Sequence, residues 1–189
     1  ALLHAIAHIE LNAIDLAWDI IARFTDDDLP VAFYDDWIGV AGEEAKHFQL
    51  LSERLAGFGT RYGDFPVHDG LWDAADQTCG DLIARLAIAP LLLEARGLDV
   101  TPGMIAKLES VDDTDSAAVL AIIYHDEIGH VATGMRWFLW VAEQRSLAPK
   151  AAYQEMVKRY FKSPLKPPFN TDAREAANFP ADWYEPLGR

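Results

Sequence analysis

The length, composition and charge of the chain exclude several classes of protein. At 189 residues with 51% hydrophobic and 24% charged residues, the chain is long enough for one well-filled domain and too short to expect two. The formal net charge of −14 disfavours nucleic acid as a general partner, because such a field repels phosphate backbones. The single cysteine excludes an internal disulfide and indicates a cytoplasmic location, and no apolar run is long enough to predict a membrane span.

The first predicted elements form a helical hairpin. Helical periodicity predicts one helix over residues 1–24 and a second over 30–56, with a break at the acidic residues that end in Asp28. Glu10 lies fourteen residues before the end of the first helix, and Glu44 lies fourteen residues after the start of the second. An antiparallel hairpin therefore sets the two carboxylates at the same level.

The middle of the chain predicts a crossover followed by two more helices. Residues 58–71 are rich in glycine, proline and aromatic residues and predict a connection that can run the length of a bundle. A third helix is predicted over 72–96, with a kink at Pro90 and an end at a glycine, and a fourth over 115–143. Between them, Gly97 is expected to end the third helix, and Thr101 with Pro102 to start a short helix. We expect residues 97–114 to form a mobile cover over one end of the site described below.

The end of the chain predicts a further helix and a wrapping tail. The helix starts at Pro149 and runs to about Lys162, and residues 163–189 form the tail, which we expect to pack on the bundle within one domain spanning 1–189. Its predicted aromatic anchors are Phe169, Phe179, Trp183 and Tyr184. At the other end, the first helix opens without a capping residue at Ala1, which leads us to expect further sequence upstream.

Two Glu-x-x-His pairs, each preceded by a lone glutamate, are the strongest functional signal. Residues three apart on a helix lie side by side, so a carboxylate and an imidazole at this spacing can bind one ion. The separation from lone to paired glutamate is 34 residues in the first half and 33 in the second, as expected for two similar hairpins. The predicted metal ligands are Glu10, Glu44, His47, Glu94, Glu127 and His130.

The neighbours of these glutamates indicate core positions. Around Glu10, Glu44 and Glu127, the positions on the same helix face are almost all apolar, and four carboxylates on such faces require cations or protons in the core. The alternatives are surface glutamates, or buried ion pairs with Lys46 or Arg96. Each of these cations is two residues from its glutamate and so points to another side of the helix. Four carboxylates and two imidazoles suit two metal ions, with iron first and manganese as the alternative.

The order of these residues resembles the ligand pattern of the ferritin-like di-iron carboxylate superfamily, whose fold is a four-helix bundle. More narrowly, residues 2–18, 93–99, 126–137 and 179–187 look like an uncharacterised bacterial ferritin-like family, domain-of-unknown-function 455. That family is considered distantly similar to tRNA-modifying di-iron hydroxylases. The resemblance implies an all-α ferritin-like bundle, metal binding and oxygen chemistry, and it supplies no substrate.

The resemblance also assigns residues around the ligands. In the superfamily, an acidic residue beside a ligand glutamate orients an imidazole on a neighbouring helix, and Asp126 and Glu43 hold those positions here. Tyr124 shares the face of Glu127 and either lines the pocket, passes an electron or packs in the core. The other histidines carry no metal-binding spacing.

The first functional hypothesis is a di-iron oxidase or hydroxylase that uses dioxygen, an electron donor of unknown identity and a small organic substrate. The alternatives are a non-catalytic metal store or structural bundle, and a peroxide-removing di-metal enzyme. A tRNA hydroxylase ranks lower because of the acidic charge. A homodimer is a further expectation. A basic run near the tail forms either a local anion-binding patch or a solvated face; it comprises Lys158, Arg159, Lys162 and Lys166.

Overall fold

The structure is a computed structural model that describes residues 1–25 and 28–188, and within these residues the chain is helical without a β-strand. The helices are α1 (Leu2–Arg23), α2 (Val31–Gly57), α3 (Gly70–Gln77), α4 (Leu82–Ile88), a π-helical segment (Ala89–Glu94), α5 (Ala95–Glu109), α6 (Thr114–Gln144), α7 (Pro149–Tyr160), α8 (Thr171–Ala176), α9 (Ala181–Tyr184) and a 3-10 turn (Glu185–Leu187). None of these helices is both long and apolar enough to cross a membrane.

The chain divides into two compact units. The first unit comprises Ala1–Asp73 and Gly103–Ile123, and the second unit comprises Ala74–Pro102 and Tyr124–Arg189. Each unit is therefore built from two separate stretches of sequence. The prediction of one domain over the whole chain stays a prediction.

The first unit is built on the hairpin of α1 and α2, whose observed bounds confirm the two predicted helices. Two residues of the predicted break, Asp26 and Asp27, lie outside the described residues. Apolar residues spaced by three, four or seven positions form the core of this unit, as expected for amphipathic helices. The buried members of this core are Leu3, Ile6, Ala7, Leu51, Leu55, Leu120 and Ile123.

Two histidines of α1 hold the connection that follows α2. The ring of His4 accepts a hydrogen bond from the backbone N–H of Gly63 at 2.9 Å, and His8 hydrogen-bonds the hydroxyl of Tyr62 at 2.9 Å. Both histidines are buried. They hold a loop between α2 and α3 in which the structure describes no helix. Metal-binding spacing in the sequence does not predict this role.

The prediction of one helix over 72–96 is wrong, because the helix breaks after Gln77 and resumes at Leu82. The hydroxyl of Thr78 donates to the carbonyls of Ala74 and Ala75 at 3.0 and 3.1 Å, which competes with continuation of the backbone ladder. The buried Arg85 reaches back and donates to the same Ala75 carbonyl at 2.7 Å. Its guanidinium thereby satisfies a carbonyl at the end of α3.

At the predicted kink the structure has the π-helical segment, with Pro90 in its first turn. The kink itself stays a prediction. Packing on the proline requires a glycine on α6. A Cβ built at Gly134 would lie 2.5 Å from the Cβ of Pro90, too close for any side chain. Gly134 therefore permits close contact between α6 and the π-helical segment.

The predicted helix end at Gly97 and restart at Pro102 are also wrong, since α5 continues through both residues to Glu109. Pro102 has no N–H to donate to the carbonyl of Leu98, four residues earlier. That carbonyl instead accepts a hydrogen bond from the side-chain amide of Asn170 at 3.1 Å. A tail residue thus replaces the missing helical bond. Residues up to Glu109 are regular helix, and the mobile cover over 97–114 stays a prediction.

The helices predicted over 115–143 and from Pro149 to about Lys162 are confirmed as α6 and α7. The packing of the tail is also confirmed. The rings of Phe179 and Trp183 lie 5.3 and 5.8 Å from the ring of Tyr153 on α7. Phe179, Trp183 and Tyr184 are buried, and Phe169 is half-buried against Tyr184. The predicted anchors therefore hold the tail within the second unit.

Candidate metal centre

The hairpin of the first unit brings three predicted ligands together in its interior. Glu44 and His47 lie on the same face of α2, and Glu10 faces them from α1. The Nδ1 atom of His47 lies 3.1 Å from an oxygen of Glu10 and 3.3 Å from an oxygen of Glu44. The three residues each offer one donor atom within 4.8 Å of the other two. Their exposed fractions are 4% for Glu10 and 0% for Glu44 and His47.

The pKa of His47 depends on its burial and on the two neighbouring carboxylates. Burial of the imidazole opposes its protonation, but the hydrogen bonds to Glu10 and Glu44 and the charges of these carboxylates act in the other direction. Together they raise the pKa of His47 from its ordinary value of 6.5 to about 10. Without a metal ion, a proton on His47 therefore offsets one of the two negative charges at neutral pH.

The cluster can hold a metal ion, because it combines buried carboxylates with an imidazole and favours positive charge. A divalent ion that replaces the proton would gain ligands of the type that iron, manganese and zinc accept. Calcium fits less well, since it prefers oxygen ligands only. Binding of the metal would release the proton from His47.

In the second unit, α6 pairs two of the remaining predicted ligands. The Nδ1 atom of His130 lies 3.6 Å from an oxygen of Glu127, and the exposed fraction of His130 is 1%. Glu94 is half-buried and is the last residue of the π-helical segment. The second Glu-x-x-His pair thus has the same helical geometry as the first, whereas the lone glutamate of this unit lies in a different type of helix.

The three residues predicted around the ligands have mixed environments. Asp126 is half-buried on α6, and Glu43 is exposed on α2. The hydroxyl of Tyr124 accepts a hydrogen bond from the side chain of Asn170 at 2.8 Å, so this tyrosine contacts the tail. An imidazole-orienting role for Asp126 and Glu43 and a pocket role for Tyr124 stay predictions.

A buried ion pair in the second unit was not anticipated from the sequence. The guanidinium of Arg174 donates two hydrogen bonds to Asp99, at 2.9 and 2.7 Å, and both side chains are almost fully buried. Asp99 also accepts the backbone N–H of Asn170 at 2.9 Å. No local spacing signals a pair whose members are 75 residues apart.

The fold and the buried cluster define an all-helical protein with a candidate metal site of glutamate and histidine residues. Over residues 1–185 the chain matches a family described as "Protein of unknown function (DUF455)". The chain belongs to this family, as the resemblance of its sequence predicted.

A relative from Haemophilus influenzae, described as "Uncharacterized protein", is 43% identical over 184 residues. The match covers 95% of this chain and 64% of the relative, so the chain spans less than two thirds of the relative's length. No solved structure matches the chain. The predicted ferritin-like bundle therefore has no structural neighbour to support it.

Proposed function

We propose that the chain binds two transition-metal ions and uses them to activate dioxygen for the oxidation of a small organic substrate. Iron is the proposed metal, and manganese is the alternative. The proposed ligands are Glu10, Glu44, His47, Glu94, Glu127 and His130.

The observation that carries the proposal is the buried cluster of Glu10, Glu44 and His47. Two carboxylates in an apolar interior are costly unless a cation compensates them, and the raised pKa of His47 expresses that demand. A structural role would be served at lower cost by apolar residues of similar volume. The retained charge supports metal binding over a purely structural role.

The second half of the proposal rests on the repeat in the sequence. Glu94, Glu127 and His130 occur in the same order and nearly the same spacing as the first three ligands. His130 and Glu127 are also adjacent on α6, which fits the geometry needed to share one ion. That the two sets serve one dinuclear centre is inferred from this repeat.

The protein's own residues would hold the metals and exclude bulk water. Bound iron would pass electrons from an external donor to dioxygen, chemistry that no side chain of the chain provides. The burial of Glu44, His47 and His130 keeps these donors away from solvent. The net charge of −14 supports a small substrate over tRNA.

Metal content measured by mass spectrometry tests the ligand set. Glu44→Gln and Glu127→Gln remove one charge from each set with little change of shape, and Glu94→Ala tests the glutamate of the π-helical segment. We expect two metal ions per chain in the wild type and at least one fewer in each variant. The matched control is Glu53→Gln, an exposed glutamate of α2, which should retain both ions. Retention of two ions in all three ligand variants would refute the assignment.

Oxygen uptake separates an oxidase from a metal store. Iron-loaded protein, chemically reduced and mixed with oxygenated buffer, should consume dioxygen, and Glu44→Gln should consume less. Full iron loading without oxygen consumption would favour storage or a structural role. Turnover of hydrogen peroxide in place of dioxygen would favour the peroxide-removing alternative. Binding of tRNA with a steep dependence on salt would support the tRNA-modifying alternative.

A further inference from the structure

A cavity of about 230 Å³ lies within the second unit, between the π-helical segment, the end of α7 and the first part of the tail. We call it the tail cavity. Its walls include the apolar side chains of Leu91, Leu92 and Phe169. It is larger than the cavity of about 150 Å³ that accepts benzene in an engineered protein core. The tail cavity can therefore hold a small organic molecule.

The charge of the tail cavity is opposite to the charge of the protein. Its wall contains the cations Arg96, Lys166 and Arg174 and one carboxylate, Asp99, which gives a formal charge of +2. The whole chain carries −14. Such a local excess of cations attracts a small anion and needs an explanation in an acidic protein.

Arg174 and Asp99 do not account for this excess, because they compensate each other in their buried ion pair. Arg96 donates hydrogen bonds through Nη1 to the backbone carbonyl of Lys166 at 2.7 Å and to Asp99 at 3.4 Å, and its Nε and Nη2 groups have no partner among the residues that the structure describes. Lys166 is exposed and forms no ion pair with the residues that the structure describes. Two cations at the cavity therefore remain available to an anion.

A buried hydroxyl in the wall adds a polar group that lacks a partner. Tyr153 has no exposed surface, and its hydroxyl makes no hydrogen bond within the described part of the chain. Burial raises the pKa of Tyr153, so the hydroxyl keeps its proton and remains a donor. An unsatisfied buried donor is uncommon in folded proteins and is explained if a ligand oxygen accepts its hydrogen bond.

We propose that the tail cavity binds a small organic carboxylate with an apolar body. The body contacts Leu91 and Phe169, and the carboxylate oxygens accept donors from Arg96, Lys166 and Tyr153. Arg and Lys are the side chains that recognise carboxylates through charge-assisted hydrogen bonds. The size of the cavity sets an upper limit near that of a single-ring or short-chain acid. None of the proposed metal ligands lines the cavity, and the test of the site does not depend on metal.

The first experiment compares benzoate with benzamide, which has nearly the same shape and no charge, by calorimetric titration of the whole chain. We expect benzoate to bind and benzamide to bind at least roughly tenfold more weakly, as for the loss of one charge-assisted contact. Equal binding of both compounds, or no binding of benzoate, would overturn the proposal. Displacement of benzoate by equimolar inorganic phosphate would show a simple anion site and would also count against it.

The second experiment uses matched variants to locate the binding. Lys166→Met should weaken benzoate binding roughly tenfold, whereas Lys162→Met, an exposed lysine outside the wall, should leave it unchanged. Tyr153→Phe should weaken binding, whereas Tyr184→Phe should not, since Tyr184 also has a buried hydroxyl without a partner but lies outside the wall. Thermal unfolding without ligand checks that each variant folds. Wild-type affinity in both Lys166→Met and Tyr153→Phe would refute the site.

Discussion

The two lone glutamates of the repeat, Glu10 and Glu94, occupy very different backbones. Glu10 lies in the middle of α1, an uninterrupted helix of 22 residues, and is 4% exposed. Glu94 ends a π-helical segment between two α-helices and is half-buried. A repeat in sequence spacing therefore does not imply a repeat in local structure. The hairpin of α1 and α2 follows from helical periodicity, whereas the segment around Glu94 depends on partners distant in sequence.

The largest expected effect comes from breaking the buried ion pair between Arg174 and Asp99. Arg174→Met should destabilise the protein by about 3–5 kcal/mol, because it leaves the buried Asp99 carboxylate without its main cation. Urea unfolding measures the change. The control is Lys150→Met, which removes an exposed ion pair with Asp182 and should cost less than about 1 kcal/mol. Equal effects of both variants would show that burial does not distinguish the two pairs.

A smaller effect is expected where α6 packs against Pro90. Gly134→Ala should lower the free energy of unfolding by about 1–3 kcal/mol, because its Cβ would clash with the proline ring. Gly129→Ala on the same helix has open space around its Cβ and should stabilise the protein by up to about 1 kcal/mol through helix propensity. Thermal unfolding of both variants gives the comparison. Stabilisation by Gly134→Ala would contradict the close contact.

Asn170 provides a test of how α5 tolerates Pro102. Asn170→Ser keeps a capping side chain for α8 but is too short to donate to the Leu98 carbonyl, so we expect a loss of about 1–2 kcal/mol. Pro102→Ala restores the helical N–H for this carbonyl. In the double variant, the loss caused by Asn170→Ser should therefore shrink. A double-mutant cycle by urea unfolding measures this coupling, and strict additivity would exclude it.

The smallest effect concerns the first unit and depends on pH. The hydrogen bond from Arg54, at 2.7 Å, lowers the pKa of Asp113 below its ordinary value of 3.8, with help from Ser116. A carboxyl with a lowered pKa contributes stability above its unfolded pKa, and the contribution is lost as the pH falls through the folded value. Asp113→Asn should therefore slightly weaken the protein at neutral pH and flatten its acid dependence. Unchanged acid unfolding would contradict this.

The helices with regular apolar periodicity could be predicted from the sequence because the residues that form their buried face lie at fixed spacings along the chain. This applies to α1, α2, α6 and α7, whose observed bounds differ from the predicted ones by one or two residues at most ends. It also applies to Glu44 and His47, whose adjacency follows from three-residue spacing on one helix. The burial of Glu10 follows from the apolar face around it.

The interrupted region could not be predicted in the same way. Gly97 and Pro102 are local signals for a helix end, yet α5 continues because Asn170 satisfies the carbonyl that the proline leaves. The break after Gln77 has local signals in Thr78 and a following glycine, but its stability relies on the side chain of Arg85. The first outcome depends on a side chain 72 residues away from the carbonyl that it satisfies, and the second depends on how a nearby arginine side chain folds back on the end of α3.

The sequence by itself determined the helical class, the hairpin that unites Glu10, Glu44 and His47, and the aromatic anchors of the tail. These features follow from periodicity, because residues at helical spacing share a face whatever the rest of the chain does. Only the tertiary structure decided the π-helical setting of Glu94, the Arg174 ion pair and the tail cavity. They depend on contacts between residues that lie far apart in the chain. The free energies of such contacts are not encoded in the spacing of neighbouring residues.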